Sequence, residues 1–412
     1  MCLSFKQEWY KKVINKNYII MKTLVLFLLT IFSISVSGQT VWVADNNFNA
    51  PTGSNVFSTI QAAVNAAAPG DIIQVQPSPT TYGNVSINKQ LTLMGIGFNV
   101  DKDIPLQSNM GNITLTNNVD DTSDADGTII KGLKFKYLYP GVNTGPSFLL
   151  QNILVQNCQI QYIYNSGSST SPIDGFELRD CYITAIVAGS AGTYFAKQAT
   201  NVIIRNNLLL TGISFASTTP GSNIITNNII YGDIYVSAVG TNTTITNNNF
   251  IASSGGDSAF KTKLQDCIVA NNIFYGSTPS ISTGGSNSSS FQRNVFTNNL
   301  VFSTGDDTMP PTGGEAGNSG TGNITAVSPS FANVQLLNTW SSGYDFTLQG
   351  GSPAINAGSD GTDIGISGGS YPFPTANFVL KTTAVPVIQI LNTSTIINPG
   401  DNLPVRIKAN SN

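Results

Sequence analysis

The feature that most constrains this chain is a short repeat built around paired asparagines. Residues 201–276 hold four copies, in each of which a β-prone run meets an Asn pair and a second β-prone run follows. The first residue of each pair is called the mark, and the same register extends to four further copies. The marks are Gly132, Asn157, Asp180, Asn206, Asn227, Asn247, Asn271 and Asn298, at intervals of 25, 23, 26, 21, 20, 24 and 27 residues. A period of this length made of short strands predicts the coils of a β-solenoid.

Two columns of residues beside the marks are apolar in every copy. Two residues before the marks stand Ile130, Val155, Leu178, Ile204, Ile225, Ile245, Val269 and Phe296. Three residues after them stand Phe135, Ile160, Ile183, Leu209, Ile230, Phe250, Phe274 and Val301. Such columns are expected where each coil stacks its inward side chains on the next, about 4.8 Å along the axis. The Asn pair fits a bend, because Asn accepts left-handed backbone conformations and its amide can bond to the Asn of the neighbouring coil.

The first 38 residues have the pattern of a leader followed by a secretory signal peptide. Met21 and Lys22 precede an apolar run that is too short to span a membrane, and small residues end it at Gly38. We expect translation to start at Met21, which makes residues 1–20 an upstream extension of the gene model. We therefore expect secretion, an extracellular or outer-cell-surface location, and no membrane-spanning segment.

Residues 39–373 are expected to form the solenoid, and residues 374–412 a C-terminal β cap or attachment segment. Near the start, Ser58 and Thr59 can cap a short helix that Pro69 and Gly70 end. Its small apolar face consists of Ile60, Ala63, Val64 and Ala67. Because the open end of a solenoid exposes strand edges that need cover, we expect this helix to be the lid.

Charge and composition narrow the possible functions. The 374 residues after Gly38 carry 14 basic and 21 acidic side chains, a net charge of −7, which argues against nucleic acid as a partner. Charged residues make up only 10% of the chain, so Asn, Ser, Thr and Gly must form most of the surface. Because the chain has no histidine, it cannot contain a Ser/His or Cys/His nucleophilic arrangement. We expect a monomer.

Three cysteines follow the leader: Cys158, Cys181 and Cys267. Cys158 and Cys181 occupy the same register on adjacent coils, so a disulfide is geometrically possible. An odd count does not describe a disulfide framework, so two stacked buried thiols are the favoured interpretation.

Both ends of the repeat region resemble a known fold family. The stretches 57–63 (FSTIQAA), 69–75 (PGDIIQV) and 91–95 (LTLMG) look like the opening of right-handed parallel β-helix proteins of the pectin-lyase-like superfamily. The stretches 351–358 (GSPAINAG) and 363–365 (DIG) resemble the closing segment of secreted, Bacteroidetes-type members. The resemblance implies an all-β fold, a right-handed parallel β-helix with an N-terminal helical cap and a small C-terminal β extension. It implies no single activity, since lyases, hydrolases, epimerases and non-enzymatic surface proteins share this fold.

Two enzyme identities within that superfamily do not fit. Polygalacturonases of this fold carry a Gly-His-Gly motif, and classical pectate lyases a Trp-Ile-Asp-His motif, which a chain without histidine lacks. We therefore expect a protein that binds polysaccharide along its lateral face. The alternatives are a calcium-assisted uronate lyase and a structural or adhesive surface protein without catalysis. If the chain is an enzyme, a lyase fits better than a glycoside hydrolase.

One candidate binding surface is a strip of basic residues directly before the marks. Lys131, Arg179 and Arg205 adjoin inward-facing positions and should therefore face outward. In lyases of this fold, such residues neutralise the uronate carboxylate or abstract the C5 proton. Plain solubilising charge is the competing interpretation. Arg179 and Arg205 lie on adjacent coils, so we expect an anionic ligand or Asp180 to relieve their repulsion.

A second candidate surface is aromatic. Tyr137 and Tyr162 share one offset from their marks, and Tyr139 and Tyr164 share another. Rings beside a groove would stack on the apolar faces of sugars, whereas rings stacked on each other would only stabilise the corner. Both interpretations stay open. Tyr137, Tyr162 and Tyr164 join the basic strip as candidate substrate-binding residues.

An acidic cluster at Asp120, Asp121, Asp124 and Asp126 can offer carboxylates to calcium. The EF-hand spacing fails, because Leu133 stands where that motif requires its last Glu. An acidic turn is the favoured interpretation. We predict no metal site and no cofactor, with calcium needed only by the lyase alternative.

Overall fold

A computed structural model describes residues 38–48, 50, 53–98, 106–117, 124–143, 149–165, 171–184, 193–195, 198–215, 222–236, 242–255, 257–261, 264–281, 291–302, 305–311, 317–373, 387–393 and 405–410. Across these ranges the chain is a right-handed parallel β-helix, which confirms the predicted fold class. No helix in the described ranges is long and apolar enough to cross a membrane. The leader and signal peptide predicted over residues 1–38 lie outside the described residues, apart from Gly38.

The coils stack into three parallel sheets. Sheet 1 contains, in spatial order, Val56–Phe57, Val41–Ala44, Ile72–Val75, Thr92–Met94, Ile129–Lys131, Leu154–Gln156, Glu177–Arg179, Ile203–Arg205, Asn223–Thr226, Thr243–Thr246, Ile268–Ala270 and Val295–Thr297. Sheet 2 begins with Val85–Ile87, Ile113–Asn117, Lys134–Asn143 and Gln159–Asn165. Sheet 3 contains Leu150–Gln151, Ile173–Asp174 and Ala199–Thr200.

Beyond its first four strands, sheet 2 divides into two arms. The first arm contains Tyr182–Ile183, Leu208–Leu209, Ile229–Ile230, Asn249–Ile251, Ile273–Tyr275, Leu300–Phe302 and Ile324–Thr325. The second arm contains Thr193–Phe195, Ile213–Phe215, Ile234–Val236, Ser258–Lys261 and Thr278–Ile281. Each coil therefore passes from sheet 1 through a corner into the first arm and then into the second.

The corner between sheet 1 and the first arm is made by the marks. The seven non-glycine marks have φ between 51° and 57°, and Gly132 has a φ of 69°. Asn and Asp adopt this left-handed region more readily than other residues with a side chain, so the bend falls where the sequence predicts it. The two flanking apolar columns face inward as predicted, with every member 3% exposed or less.

The second residue of each Asn pair forms a ladder inside the corner. Asn228 Nδ2 donates to Asn248 Oδ1 at 3.0 Å, and the same oxygen accepts the backbone N–H of Asn228 at 3.0 Å. Asn248 repeats both bonds with Asn272, at 3.0 and 2.9 Å. The ladder extends through Asn207 and Asn299. These amides are fully buried and give partners to backbone N–H groups that the bend removes from the sheet.

Two cysteines occupy the ladder position on the preceding coils. The backbone N–H of Cys181 donates to Asn207 Oδ1 at 2.9 Å, and that of Cys158 lies 3.4 Å from Cys181 Sγ. Both residues and Cys267 are buried free thiols, which confirms the stacked-thiol interpretation. Burial raises the pKa of Cys267 to about 11 and holds the pKa of Cys181 well above its usual range.

The helix near the start covers one end of the apolar interior. This helix, α1, Ile60–Ala66, is capped by Thr59, whose side chain accepts the backbone N–H of Ala62, and its predicted apolar face is buried against the core. The helix is therefore the lid that the sequence predicts.

Residues 324–373, here called the return segment, run back from the last coils along the outside of the corner. It contains the antiparallel hairpin Phe331–Asn333 and Asp345–Leu348. Its main chain then forms hydrogen bonds with the side chains of successive marks. The bonded pairs are Ala357 with Asn298, Ser359 with Asn271, Gly365 with Asn247, Gly368 with Asn227 and Tyr371 with Asn206. At the five corners from Asn206 to Asn298, asparagine thus serves twice, one residue bonding inward and the other outward.

The return segment buries the outer face of the first arm in a second apolar core. Tyr344, Phe346, Ile364, Ile366 and Phe373 pack there against Leu208, Ile229, Ile251, Ile273, Tyr275 and Leu300. Gly365, at φ 88°, permits the close approach, because a Cβ there would lie 2.6 Å from Ile273 Cδ1. Strands of the first arm are apolar on both faces because both faces are covered.

The final described strands, Val387–Thr393 and Val405–Asn410, form an antiparallel hairpin. They lie in the region expected to form a C-terminal β cap or attachment segment. The division of the chain at residue 374 stays a prediction.

Substitution of neighbouring isoleucines tests the inward and outward assignment. Ile225 is fully buried, whereas Ile224 beside it on the same strand is 38% exposed. Ile225→Asp should lower the free energy of unfolding by roughly 4 kcal/mol or more, because it buries an unpaired charge. Ile224→Asp should cost about 1 kcal/mol or less. Equal losses of the two variants in denaturant unfolding would contradict the register.

Thiol chemistry tests the burial of the cysteines. Because all three described cysteines are buried and the pKa values of Cys181 and Cys267 are raised, they should resist alkylation at pH 8 in the native protein. All three should react within minutes in denaturant. Mass spectrometry counts the labels, and rapid native labelling of Cys158 or Cys181 would contradict the stacked arrangement.

Candidate functional site

The part of sheet 2 beyond the described contacts of the return segment carries four tyrosines, here called the tyrosine cluster: Tyr137, Tyr139, Tyr162 and Tyr164. They come from the long strands Lys134–Asn143 and Gln159–Asn165, which bend from the first arm into the second. In the described chain, the aromatic contacts of the return segment with sheet 2 reach as far as Tyr182, whose ring lies 5.4 Å from that of Trp340. The cluster lies one coil further on.

Register places the four phenols side by side. Tyr137 pairs with Tyr162, and Leu138 pairs with Ile163. The same register aligns the next residues along each strand, Tyr139 and Tyr164. Leu138 and Ile163 are fully buried, so the residues that alternate with them face outward.

The rings overlap only in part. The Tyr137 centroid lies 5.3 Å from that of Tyr162 and 5.5 Å from that of Tyr139, with interplanar angles of 11° and 16°. Parallel rings in contact are about 3.5 Å apart face to face, so these rings are displaced sideways by about 4 Å. The rings therefore stack on each other, as one of the two sequence-based interpretations has it, and binding of sugars by these rings stays a prediction.

The chemistry of the cluster combines phenols with a cation. Lys136 Nζ lies 5.2 Å from the Tyr137 centroid, and Lys136 is exposed. Burial, together with the neighbouring Tyr137 and Tyr164, raises the pKa of Tyr139. Its hydroxyl therefore stays protonated at neutral pH and can donate a hydrogen bond. Tyr164 is 42% exposed, so the cluster is open to a ligand.

The basic strip lies on the outside of sheet 1. The register runs from Lys131 through Gln156 to Arg179 and Arg205, so the two arginines are neighbours as predicted. The strip and the tyrosine cluster stand on different sheets, on opposite sides of the mark corner. The structure does not bring these two sets of candidates together into one site.

The two arginines share one carboxylate, from a residue that the sequence analysis missed. Glu177 Oε1 accepts from Arg205 at 2.9 and 2.8 Å and lies 3.5 Å from Arg179 Nη1. Arg205 also lies 4.7 Å from the Tyr371 ring centroid, beneath the return segment. Glu177 therefore relieves part of the repulsion between the two arginines, and the expectation of an anionic ligand or of Asp180 stays a prediction. A signal was available: Glu177 precedes Arg179 by two residues and shares its outward face.

Two tyrosines of later coils pack against the return segment. Tyr231 and Tyr275 lie on the first arm, packed against the second apolar core. Burial raises the pKa of both phenols, with a further contribution from Tyr344. They contribute to packing and offer no surface to a ligand.

The acidic cluster shows no metal-binding geometry where it is described. Asp120 and Asp121 lie outside the described residues. Asp126 Oδ1 accepts the backbone N–H of Gln151 at 2.6 Å, and Asp124 Oδ1 accepts that of Asp126 at 3.2 Å. These bonds are typical of a turn. In the described part of the chain, no three Asp, Glu, His or Cys side chains are grouped closely enough to hold a metal ion.

No family model matches this sequence, and no curated protein matches it. Among solved structures, XylC in complex with xylose is similar over 64% of this chain and 53% of its own length, at 13% identity and a TM-score of 0.31. The match thus spans about half of the XylC chain. The alginate lyase from Paenibacillus sp. str. FPU-7 is similar over 64% of this chain and 91% of its own, at 17% identity and a TM-score of 0.30. Similarity at this level carries no inference about activity.

Removing Tyr371 tests the role of Arg205 as an anchor of the return segment. Tyr371→Ala should lower the free energy of unfolding by about 1 kcal/mol, through loss of the cation–π contact and of apolar cover. Tyr371→Phe keeps the ring and should behave as wild type. Equal loss in both variants would show that the ring is not what holds Arg205.

Proposed function

We propose that this chain is an extracellular protein that binds polysaccharide at the tyrosine cluster of sheet 2. The observation that carries the proposal is the alignment of four phenols from two adjacent coils, of which Tyr164 is exposed and the other three are half-buried. Partly exposed ring faces suit the apolar faces of sugar rings, and phenol hydroxyls suit their hydroxyl groups. Lys136 adds a donor at the edge of the cluster.

The contrast along sheet 2 supports this assignment. Further along the first arm, outward residues such as Leu208, Ile229 and Ile273 are covered by the chain itself. At the cluster, the outward residues are amphipathic tyrosines that tolerate both water and a ligand.

Binding is proposed rather than catalysis. A lyase needs a base that is free to take a proton beside a group that neutralises the carboxylate. Arg179 and Arg205 are held by Glu177, and no acidic cluster adjoins them among the described residues. Secretion, which the N-terminal pattern predicts, is consistent with a polysaccharide ligand.

A polysaccharide panel with single substitutions tests the proposal. Tyr164→Ala should weaken binding by about tenfold, as expected for loss of a central aromatic contact. Phe48→Ala is the matched control, because Phe48 is fully exposed and belongs to the N-terminal segment. Affinity electrophoresis or calorimetry measures the change.

The double variant Arg179→Ala/Arg205→Ala locates the site. It should leave affinity for the panel unchanged, since the basic strip stands on sheet 1 and the tyrosine cluster on sheet 2. Loss of binding to uronic-acid polymers in this variant, with Tyr164→Ala unaffected, would move the site to sheet 1 and overturn the proposal.

A further inference from the structure

The tyrosine cluster is one end of a longer row on the second arm. Starting at Tyr164, the register leads to Tyr194, then to Ser214 and then to Tyr235. At the other end, Tyr139 pairs with Thr114. The row follows the axis of the β-helix, one residue per coil.

The row faces outward on the described coils. Ile163, Ile213 and Ile234 precede Tyr164, Ser214 and Tyr235 in their strands, and all three are 1% exposed or less. Strand alternation then directs the following residue away from the interior. Tyr164 is exposed and Tyr235 is half-buried, while Ser214 between them is short and buried.

The row therefore offers two aromatic contact points separated along the axis. From Tyr164 to Tyr235 there are three coil steps, or about 14 Å at the strand spacing of a sheet. A sugar ring with its glycosidic bond is about as long as one coil step. Two contact points at this separation match a chain of about four sugar rings lying parallel to the axis.

We infer that the ligand is a linear polysaccharide, bound within its length along the second arm, with the tyrosine cluster and Tyr235 as separate subsites. This inference rests on the proposed function and adds to it the ligand's shape and direction. A short oligosaccharide reaches only one subsite. A longer one reaches both, and the second contact then forms at high effective concentration.

The test uses a length series of linear oligosaccharides, from dimer to octamer, of the polymer that binds best in the panel. Affinity should rise by about tenfold between the dimer and the hexamer and then level off, because two aromatic contacts replace one. Tyr235→Ala should remove that gain and leave the dimer's affinity unchanged. Tyr164→Ala should weaken both.

Unfolding curves of each variant establish that the fold is intact. If Tyr235→Ala does not fold, the Tyr235→Ser variant is used in its place, because Ser214 at the neighbouring position of the row is also a small hydroxyl residue. Equal affinity for dimer and octamer, or a Tyr235 variant that binds the hexamer as wild type, would overturn the inference while leaving the proposed function in place. Absence of binding to every polysaccharide would overturn both.

Discussion

The structure depends on how its backbone turns a corner every 20 to 27 residues without leaving polar groups unpaired. A left-handed residue makes each turn, and the next residue is withdrawn from the sheet with its N–H directed along the axis. The Asn ladder supplies partners for these N–H groups. Asn248 Oδ1 accepts the N–H of Asn228 on the previous coil, and Asn248 Nδ2 donates to the backbone carbonyl of Ile225. A buried N–H without a partner costs about 1–3 kcal/mol, so a stack of unsatisfied corners would not be stable.

Asparagine suits both positions of the pair for different reasons. At the mark it tolerates a positive φ, and its amide remains available on the outside. Asn227 Nδ2 uses this freedom to donate to the carbonyls of Ile366 and Gly368 at 3.1 and 2.7 Å. The return segment is thus held by the same residues that turn the coils. Its apolar side chains then convert one arm of sheet 2 into an interface that is buried on both faces.

The surface left uncovered follows from this arrangement. The return segment reaches the coil of Asn206 and, through Trp340, the ring of Tyr182. In the register of Leu208 and Ile229, the preceding coils carry Gln159 and Tyr182, and the tyrosine cluster lies further along the strands that precede Tyr182. The second arm, which the second apolar core does not include, continues the tyrosine row to Tyr235. The proposed binding surface is thus the part of sheet 2 that lies beyond the described contacts of the return segment.

Much of the β-helix could be predicted from the sequence, because stacked coils repeat the same residue pattern. The marks, the inward columns and the helical lid recur or have local signals, and the structure confirms them at Asn227, Ile225 and Ile60. The return segment could not be predicted, because its contacts, such as Asn206 to Tyr371, join residues 165 positions apart. The sequence did carry one sign of it. The consecutive apolar residues Leu208, Leu209 and Leu210 indicate that both faces of the sheet are buried there.

Tyr194 and Tyr235 were missed for a different reason. The loops before them differ in length from coil to coil, so their offsets from the marks vary and only strand pairing aligns them. The basic strip was aligned correctly but interpreted without Glu177, which changes its electrostatics.

Hydroxyl-radical footprinting with mass spectrometry tests the central claim most directly, because it reports the exposure of individual aromatic side chains. With saturating linear polysaccharide, oxidation should fall at Tyr139, Tyr164 and Tyr235 and stay unchanged at Phe48 and Tyr371. Protection at Tyr371 and along sheet 1, with Tyr164 and Tyr235 oxidised as in the free protein, would contradict the assignment of the binding surface to sheet 2.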